Sequence, residues 1–268
     1  MTIDNPEAAG PGSLRKHEAF RSRFLPAARD LIVYLPAPYE WQPDRRYPVL
    51  YLQDGQNIFD PATSFAGVAW GMKETADRLI AEGKIRPLVI VGIYNTGKQR
   101  IREYTPSRAP KQGGGGADRY GRMLLEEIKP FIDSEYRTLA GPANHGLGGS
   151  SLGGLLTIYL GLRFSNIFGR LAVLSPAIWW DQRWILGFAG RLRVKSRPRI
   201  WLDTGTQEGI HTASDARKMR DVLQQKGWHE GRDLHYEEIQ GGQHNEAAWA
   251  QRAAPFLQFL FPAAETEV

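Results

Sequence analysis

The chain of 268 residues contains no cysteine. Disulfides, thiolate metal sites and a cysteine nucleophile are therefore excluded. A cysteine-free chain fits a reducing compartment without requiring one. Long apolar runs are missing too. The longest, Pro87-Leu-Val-Ile-Val-Gly-Ile93, has the length of a strand, against the ~20 residues that a membrane-spanning helix needs. The opening stretch MTIDNPEAAGPGSLRKHEAF lacks the apolar segment of a secretory signal. A cytoplasmic protein with no membrane partner is the expectation. Nucleic-acid motifs are also absent. The formal net charge is +5, but the densest basic segment, residues 191–199, alternates basic and other residues like one wet face of an extended segment. No stacking aromatics interleave with it, so nucleic acid is not an expected partner. The six histidines lack metal-ligand spacing such as H-x-x-x-H, and neither a metal nor any other cofactor is expected.

What is present is ordinary globular material, 42% hydrophobic and 24% charged, in which periods of two and 3.6 alternate. Residues 28–35, 48–52, 87–93, 171–174, 199–202 and 234–239 read as strands, the continuous β-branched run at 87–93 as one covered on both faces. Helical spacing marks 70–81, 117–136 with a kink at Pro130, 152–162, 213–226 closed by Gly227, and 247–261 interrupted at Pro255. Strands alternating with helices imply βαβ units. The expected fold is α/β, with a mainly parallel central sheet and helices on both faces. A single domain over residues 28–262 is expected, with a partly flexible extension at 1–27 and a flexible tail at 263–268. Residues 95–117, carrying the run Gly113–Gly116, read as one long loop.

Gly149-Ser150-Ser151-Leu152-Gly153 matches G-x-S-x-G at the start of an amphipathic helix. In such a turn the central serine projects from the carboxyl end of the sheet, and the N–H groups that follow point at a developing oxyanion. Ser151 is therefore the candidate nucleophile, although the preceding residues 143–149 make a poor strand by propensity. A serine needs a neutral imidazole to take its proton. Of the six histidines, His244 follows the last strand in the turn Gly241-Gly-Gln-His-Asn245 and fits best; His211 is second. The orienting acid should follow the strand at 199–202, which leaves Asp203 and Glu208. Glu208 is favoured, because its loop can reach across toward His244. For the oxyanion hole, Leu152 offers one N–H. Gln56, after the turn Asp54-Gly55 behind the strand at 48–52, offers the second.

Taken together, the stretches YLQDGQNIFD, WGMKETADRLI, PLVIVGI, REYTP, GGSSLGG, LSPAIWW, DTGTQEG and GGQHNEAAW resemble the putative-esterase family of α/β-hydrolases. That family includes esterase D-type, feruloyl, acetyl-xylan and siderophore esterases as well as mycolyltransferases. The resemblance spans about residues 30 to 260. It implies a Ser151–Glu208–His244 triad, N–H donors at Gln56 and Leu152, and a pocket flanked by Arg102 and Tyr104 and by the segment ending in Trp179 and Trp180. It further implies a carboxylic-ester hydrolase acting on a small-molecule ester. The aromatic rim suits an aromatic, sugar-linked or siderophore-type ester, unless Trp179 and Trp180 pack beneath the loop instead. Two other readings stay open at this point: an acyltransferase with the same triad, and a silent hydrolase fold used for binding.

Overall fold

The computed structural model describes residues 10–263. Eight strands form one sheet in the order β1-β2-β4-β3-β7-β8-β9-β10. They are β1 (Ser13–Phe20), β2 (Arg29–Leu35), β3 (Val49–Gln53), β4 (Val89–Ile93), β7 (His145–Ser150), β8 (Arg170–Leu174), β9 (Arg199–Gly205) and β10 (Leu234–Ile239). β5 (Arg108–Ala109) and β6 (Gly113–Gly114) form a separate small hairpin. Pairing is antiparallel from β1 to β2 and from β2 to β4, and parallel from β4 through to β10. All five residues of β3, β4 and β8 are buried, as a sheet covered on both sides demands.

Alternate residues feed two apolar cores. On one face Leu50, Leu52, Ile90 and Leu174 meet α1 (Met72–Ala81) and α9 (Ala253–Leu260). On the other, Val49, Tyr51, Val89 and Val173 meet α3 (Ala117–Met123), α4 (Lys129–Glu135), α5 (Leu152–Arg163), α6 (Trp180–Arg191) and α7 (Thr212–Gln225). The other two α-helices among the described residues are short: α2 (Arg100–Tyr104) and α8 (Glu246–Ala250). Among the described residues, no helix is long and apolar enough to cross a membrane.

Several sequence expectations change. Ser13–Phe20, within the segment expected to be a partly flexible extension, is an edge strand with Ser13 opposite Leu35 and His17 opposite Leu31. An edge strand wetted on both faces needs no apolar run, so its charged sequence hid it. Residues 1–9 and 264–268, expected to be flexible, lie outside the described residues. The glycine-rich segment at 145–150 is a central strand despite its propensity. A Cβ on Gly148 would come within 2.8 Å of Leu52 and 2.9 Å of Ala172, so close packing between neighbouring strands overrides intrinsic preference. The helix at 117–136 is continuous but widens into a π-turn at Leu124–Ile128, just ahead of Pro130; a wider turn accommodates the hydrogen bond that proline cannot make. The last helix breaks at Gln251–Arg252 rather than at Pro255, which sits in the first turn of α9 where its missing N–H costs nothing.

The segment at 95–117 is built rather than loose. It contains α2 and the β5–β6 hairpin, and a buried bidentate ion pair fastens it to β2. Arg29 Nη1 and Nη2 lie 3.1 Å from Glu103 Oε2 and Oε1, with both side chains inaccessible. Removing one partner of such a pair strands a charge at a cost of about 3–5 kcal/mol. Arg29→Met should lower unfolding stability by that amount in urea titration, whereas Arg23→Met, removing an exposed cation paired with Glu127, should change it by less than about 1 kcal/mol.

Candidate active site

Ser151 sits at the junction of β7 and α5 with φ 57° and ψ −119°, a left-handed conformation that costs a non-glycine residue about 1–3 kcal/mol. The surroundings hold it there. Ser151 N donates to Leu174 O at 3.1 Å, while Leu155 N and Ala177 N donate to Ser151 O at 3.0 and 2.9 Å. The turn is tight because Gly149 and Gly153 face each other: a Cβ on Gly149 would lie 3.0 Å from the Gly153 carbonyl carbon. Leu152 opens α5, so its N–H has no acceptor within the helix.

The acid and histidine loops, after β9 and β10, are zipped together by backbone. Thr206 N donates to Ile239 O and Gln207 N to Gly242 O, each at 3.0 Å. Gly205 makes this approach possible, since a Cβ there would lie 2.2 Å from Gly242 O. Across the seam, His244 Nδ1 lies 3.0 Å from Glu208 Oε2. A carboxylate only accepts, so Nδ1 carries the proton, and in the neutral imidazole Nε2 then keeps its lone pair. The imidazole is partly open to solvent, with 38% of its side chain exposed, and meets Trp249 edge-on at 4.9 Å.

The Glu208 side chain is inaccessible and multiply held. Its Oε1 accepts from Gly205 N at 2.7 Å, Ser175 Oγ at 2.6 Å and Arg252 Nη2 at 2.9 Å. Burial pushes its pKa upward, but the hydrogen bonds from His244, Ser175 and Arg252 outweigh this and hold it below the ordinary glutamate value. Asp203, the other carboxylate considered for the acid, points elsewhere. It bonds Trp201 Nε1 at 2.7 Å, Ser175 N at 3.1 Å and Arg252 Nη1 at 2.8 Å. Complete burial pushes Asp203 up to about 6. The segment 175–177 links nucleophile to acid, because Ala177 N donates to Ser151 O and Ser175 Oγ to Glu208.

Gln56 lies in the short turn Gly55–Asn57, preceded by Asp54 at φ 58°. Gly55 presses on β4, where a Cβ would meet the Gly92 carbonyl carbon at 2.4 Å. Asp54 accepts from Arg100 at 2.8 and 2.7 Å and from Asn95 Nδ2 at 2.7 Å. Asp54 N donates to the Tyr104 hydroxyl at 3.1 Å. Asn57 Nδ2 reaches Glu246 Oε1 at 3.2 Å.

The pocket-flanking residues separate. Trp179 is exposed, at 52%. Trp180 is buried, its Nε1 donating to Ser107 O at 3.0 Å, with Gly114 of β6 packed against its ring. Tyr104 is also buried, and its hydroxyl supports the Asp54 turn instead of facing a ligand. Arg102 lines a 160 Å³ cavity with Leu25, Pro26 and Glu103 that none of Ser151, Glu208 and His244 lines. Aromatic and basic residues of a motif can brace a loop from beneath as readily as they can line a pocket. Sequence reasoning missed Arg252 altogether and gave Ser175 no role beyond its place in the pocket-flanking segment. The available sign was Arg252 itself, a lone cation amid AAWAQRAAPFLQFL, whose apolar residues face the core.

The family described as "Putative esterase" matches residues 22–260. The chain belongs to that family. It is a carboxylic ester hydrolase of the α/β-hydrolase fold. Ferri-bacillibactin esterase BesA of Bacillus subtilis is 28% identical over 215 residues, covering 71% of each chain. The uncharacterized protein YbbA of the same organism is 25% identical over 236 residues, 82% of this chain and 84% of its own. Among solved structures, the BES protein of Bacillus cereus superposes with a TM-score of 0.74 at 22% identity, over 97% of this chain and 99% of its own.

The zipped loops give a direct test. Gly205→Val should push the acid and histidine loops apart, and a misplacement of about 1 Å costs on the order of 10²-fold. Steady-state kinetics on an aryl ester should show that loss with the far-ultraviolet circular dichroism unchanged.

Proposed function

We propose that the protein hydrolyses its ester through a Ser151–His244–Glu208 triad and a covalent acyl-enzyme. The observation that carries the reading is the 3.0 Å contact between His244 Nδ1 and a Glu208 oxygen that has no other partner among the hydrogen bonds of the described residues. It leaves Nε2 free to take a proton, in a loop at the same edge of the sheet as the strained Ser151 turn. In this mechanism Ser151 Oγ attacks the ester carbonyl carbon as its proton passes to His244 Nε2. The oxyanion is met by the Leu152 and Gln56 N–H groups. His244 then protonates the leaving alcohol, and the carbonyl re-forms as that C–O bond breaks. Water, deprotonated by the same imidazole, repeats the sequence on the acyl-enzyme and releases the acid.

For the substrate, the rim offers exposed apolar side chains on three separate loops: Phe65, Trp179 and Ile210. Flat apolar surface around a serine suits an ester with an aromatic acyl or alcohol part. BesA, a ferri-bacillibactin esterase by name, supports a siderophore-type ester as the first to try.

Ser151→Ala and His244→Gln should each reduce turnover of 4-nitrophenyl acetate by about 10⁴–10⁶-fold, with KM little changed where it is measurable. Parental turnover by purified, folded Ser151→Ala would eliminate the assignment.

A further inference from the structure

We propose that Arg252 is the positioning residue of this triad: its guanidinium, shared between Glu208 and Asp203, fixes which oxygen of Glu208 is presented to His244 and lets both buried acids carry their negative charge side by side. The proposal rests on the triad reading above and concerns how its acid is kept competent.

The hydrogen-bond inventory is closed around one hydroxyl. Ser175 Oγ accepts from Trp249 Nε1 at 3.0 Å and from Arg252 Nη1 at 2.6 Å. Both donors are obligate, since neither an indole N–H nor a guanidinium can accept. With both lone pairs taken, the single Ser175 proton goes to Glu208 Oε1 at 2.6 Å. That oxygen also takes Gly205 N and Arg252 Nη2. Oε1 is saturated, and Oε2 is left for the imidazole. Arg252 acts twice in this pattern, directly on Glu208 and through the orientation it imposes on Ser175.

The charges tell the same story. Around the guanidinium stand Asp203 of β9, Glu208 of the following loop, Ser175 after β8 and Trp249 of α8. His244 is bonded to the far oxygen of Glu208. Glu246, also on α8, is turned to Asn57. The Asp203 and Glu208 side chains are both inaccessible, and Arg252 is the cation ion-paired to each. Two buried carboxylates this close cannot both ionise cheaply without it. Asp203, raised by burial to about 6, is the acid that bears the strain, while Glu208 stays below its ordinary value. Without Arg252, a proton would be held by the pair. Whenever it sits on Glu208, the imidazolium formed in the reaction loses its anionic partner. Raising the pH removes that proton, so the acid limb of the rate profile should move upward.

The test is the pH dependence of kcat/KM with 4-nitrophenyl acetate for the parent, Arg252→Met, Asp203→Asn and the double variant. Arg252→Met should lose about 100-fold at neutral pH, mainly in kcat, with the acid limb displaced upward by about one unit. Adding Asp203→Asn leaves a single buried acid; it should recover about tenfold and return the limb toward its parental position. If Arg252→Met does not fold, Arg252→Lys keeps a point charge that cannot bridge two carboxylates and should show the same shift and recovery in smaller measure. A uniformly lowered profile of parental shape, or no recovery in the double variant, would overturn the proposal. Ser151→Ala measured alongside separates the two levels. If it retains parental turnover, the triad reading and this inference fall together. If it is inactive while the Arg252 variants keep the parental profile, this inference falls alone.

Discussion

Two backbone approaches closer than any Cβ allows, and a third tighter than most Cβ contacts, hold the candidate reactive groups together. Gly149 against Gly153 makes the turn that carries Ser151. Gly55 against Gly92 seats the turn that carries Gln56. Gly205 against Gly242 joins the loops of Glu208 and His244. Each is a contact between two glycines, and each pins one mobile-looking loop to a strand, a helix start or another loop. Such approach is a packing constraint rather than a chain-flexibility effect. It is bought with the conformational entropy of glycine, and the two apolar cores on either face of the sheet supply the stability that tolerates it.

Polar braces complete what the glycines permit. Asp54, itself left-handed, is clamped by Arg100 and Asn95, and its N–H rests on the Tyr104 hydroxyl. Glu208 is clamped by Ser175, Gly205 and Arg252. Asn57 and Glu246 connect the two halves of the site. Preorganised groups of this kind lower a barrier because they need not reorganise as charge develops. The strain held at Ser151 and Asp54 is consistent with backbones that tertiary contacts, not local preference, dictate.

The sequence made the parallel sheet legible because most of its central strands are apolar runs, and the serine turn legible because G-x-S-x-G has few other uses before an amphipathic helix. The choice of Glu208 over Asp203 rested on loop reach, and in the structure Glu208 is the carboxylate that touches His244. Other features were hidden for physical reasons. β1 is an edge strand without an apolar pattern, and β7 is a strand by virtue of its neighbours rather than its residues. Tyr104, Trp180 and Arg102 carry side chains that equally suit a pocket wall or a brace, and only three-dimensional placement distinguishes them. Arg252 carries no motif and Ser175 has no marked role within LSPAIWW; their importance comes from meeting two acids that are distant from them in sequence.

The central claim is that Ser151 is an activated nucleophile because His244 is oriented by Glu208. It is tested most directly by reacting the intact protein with a fluorophosphonate and locating the adduct by peptide mass, with Glu208→Gln treated in parallel. The account predicts a single adduct on Ser151, formed much more slowly in Glu208→Gln. An adduct on another residue, or equal rates in the two proteins, would contradict it.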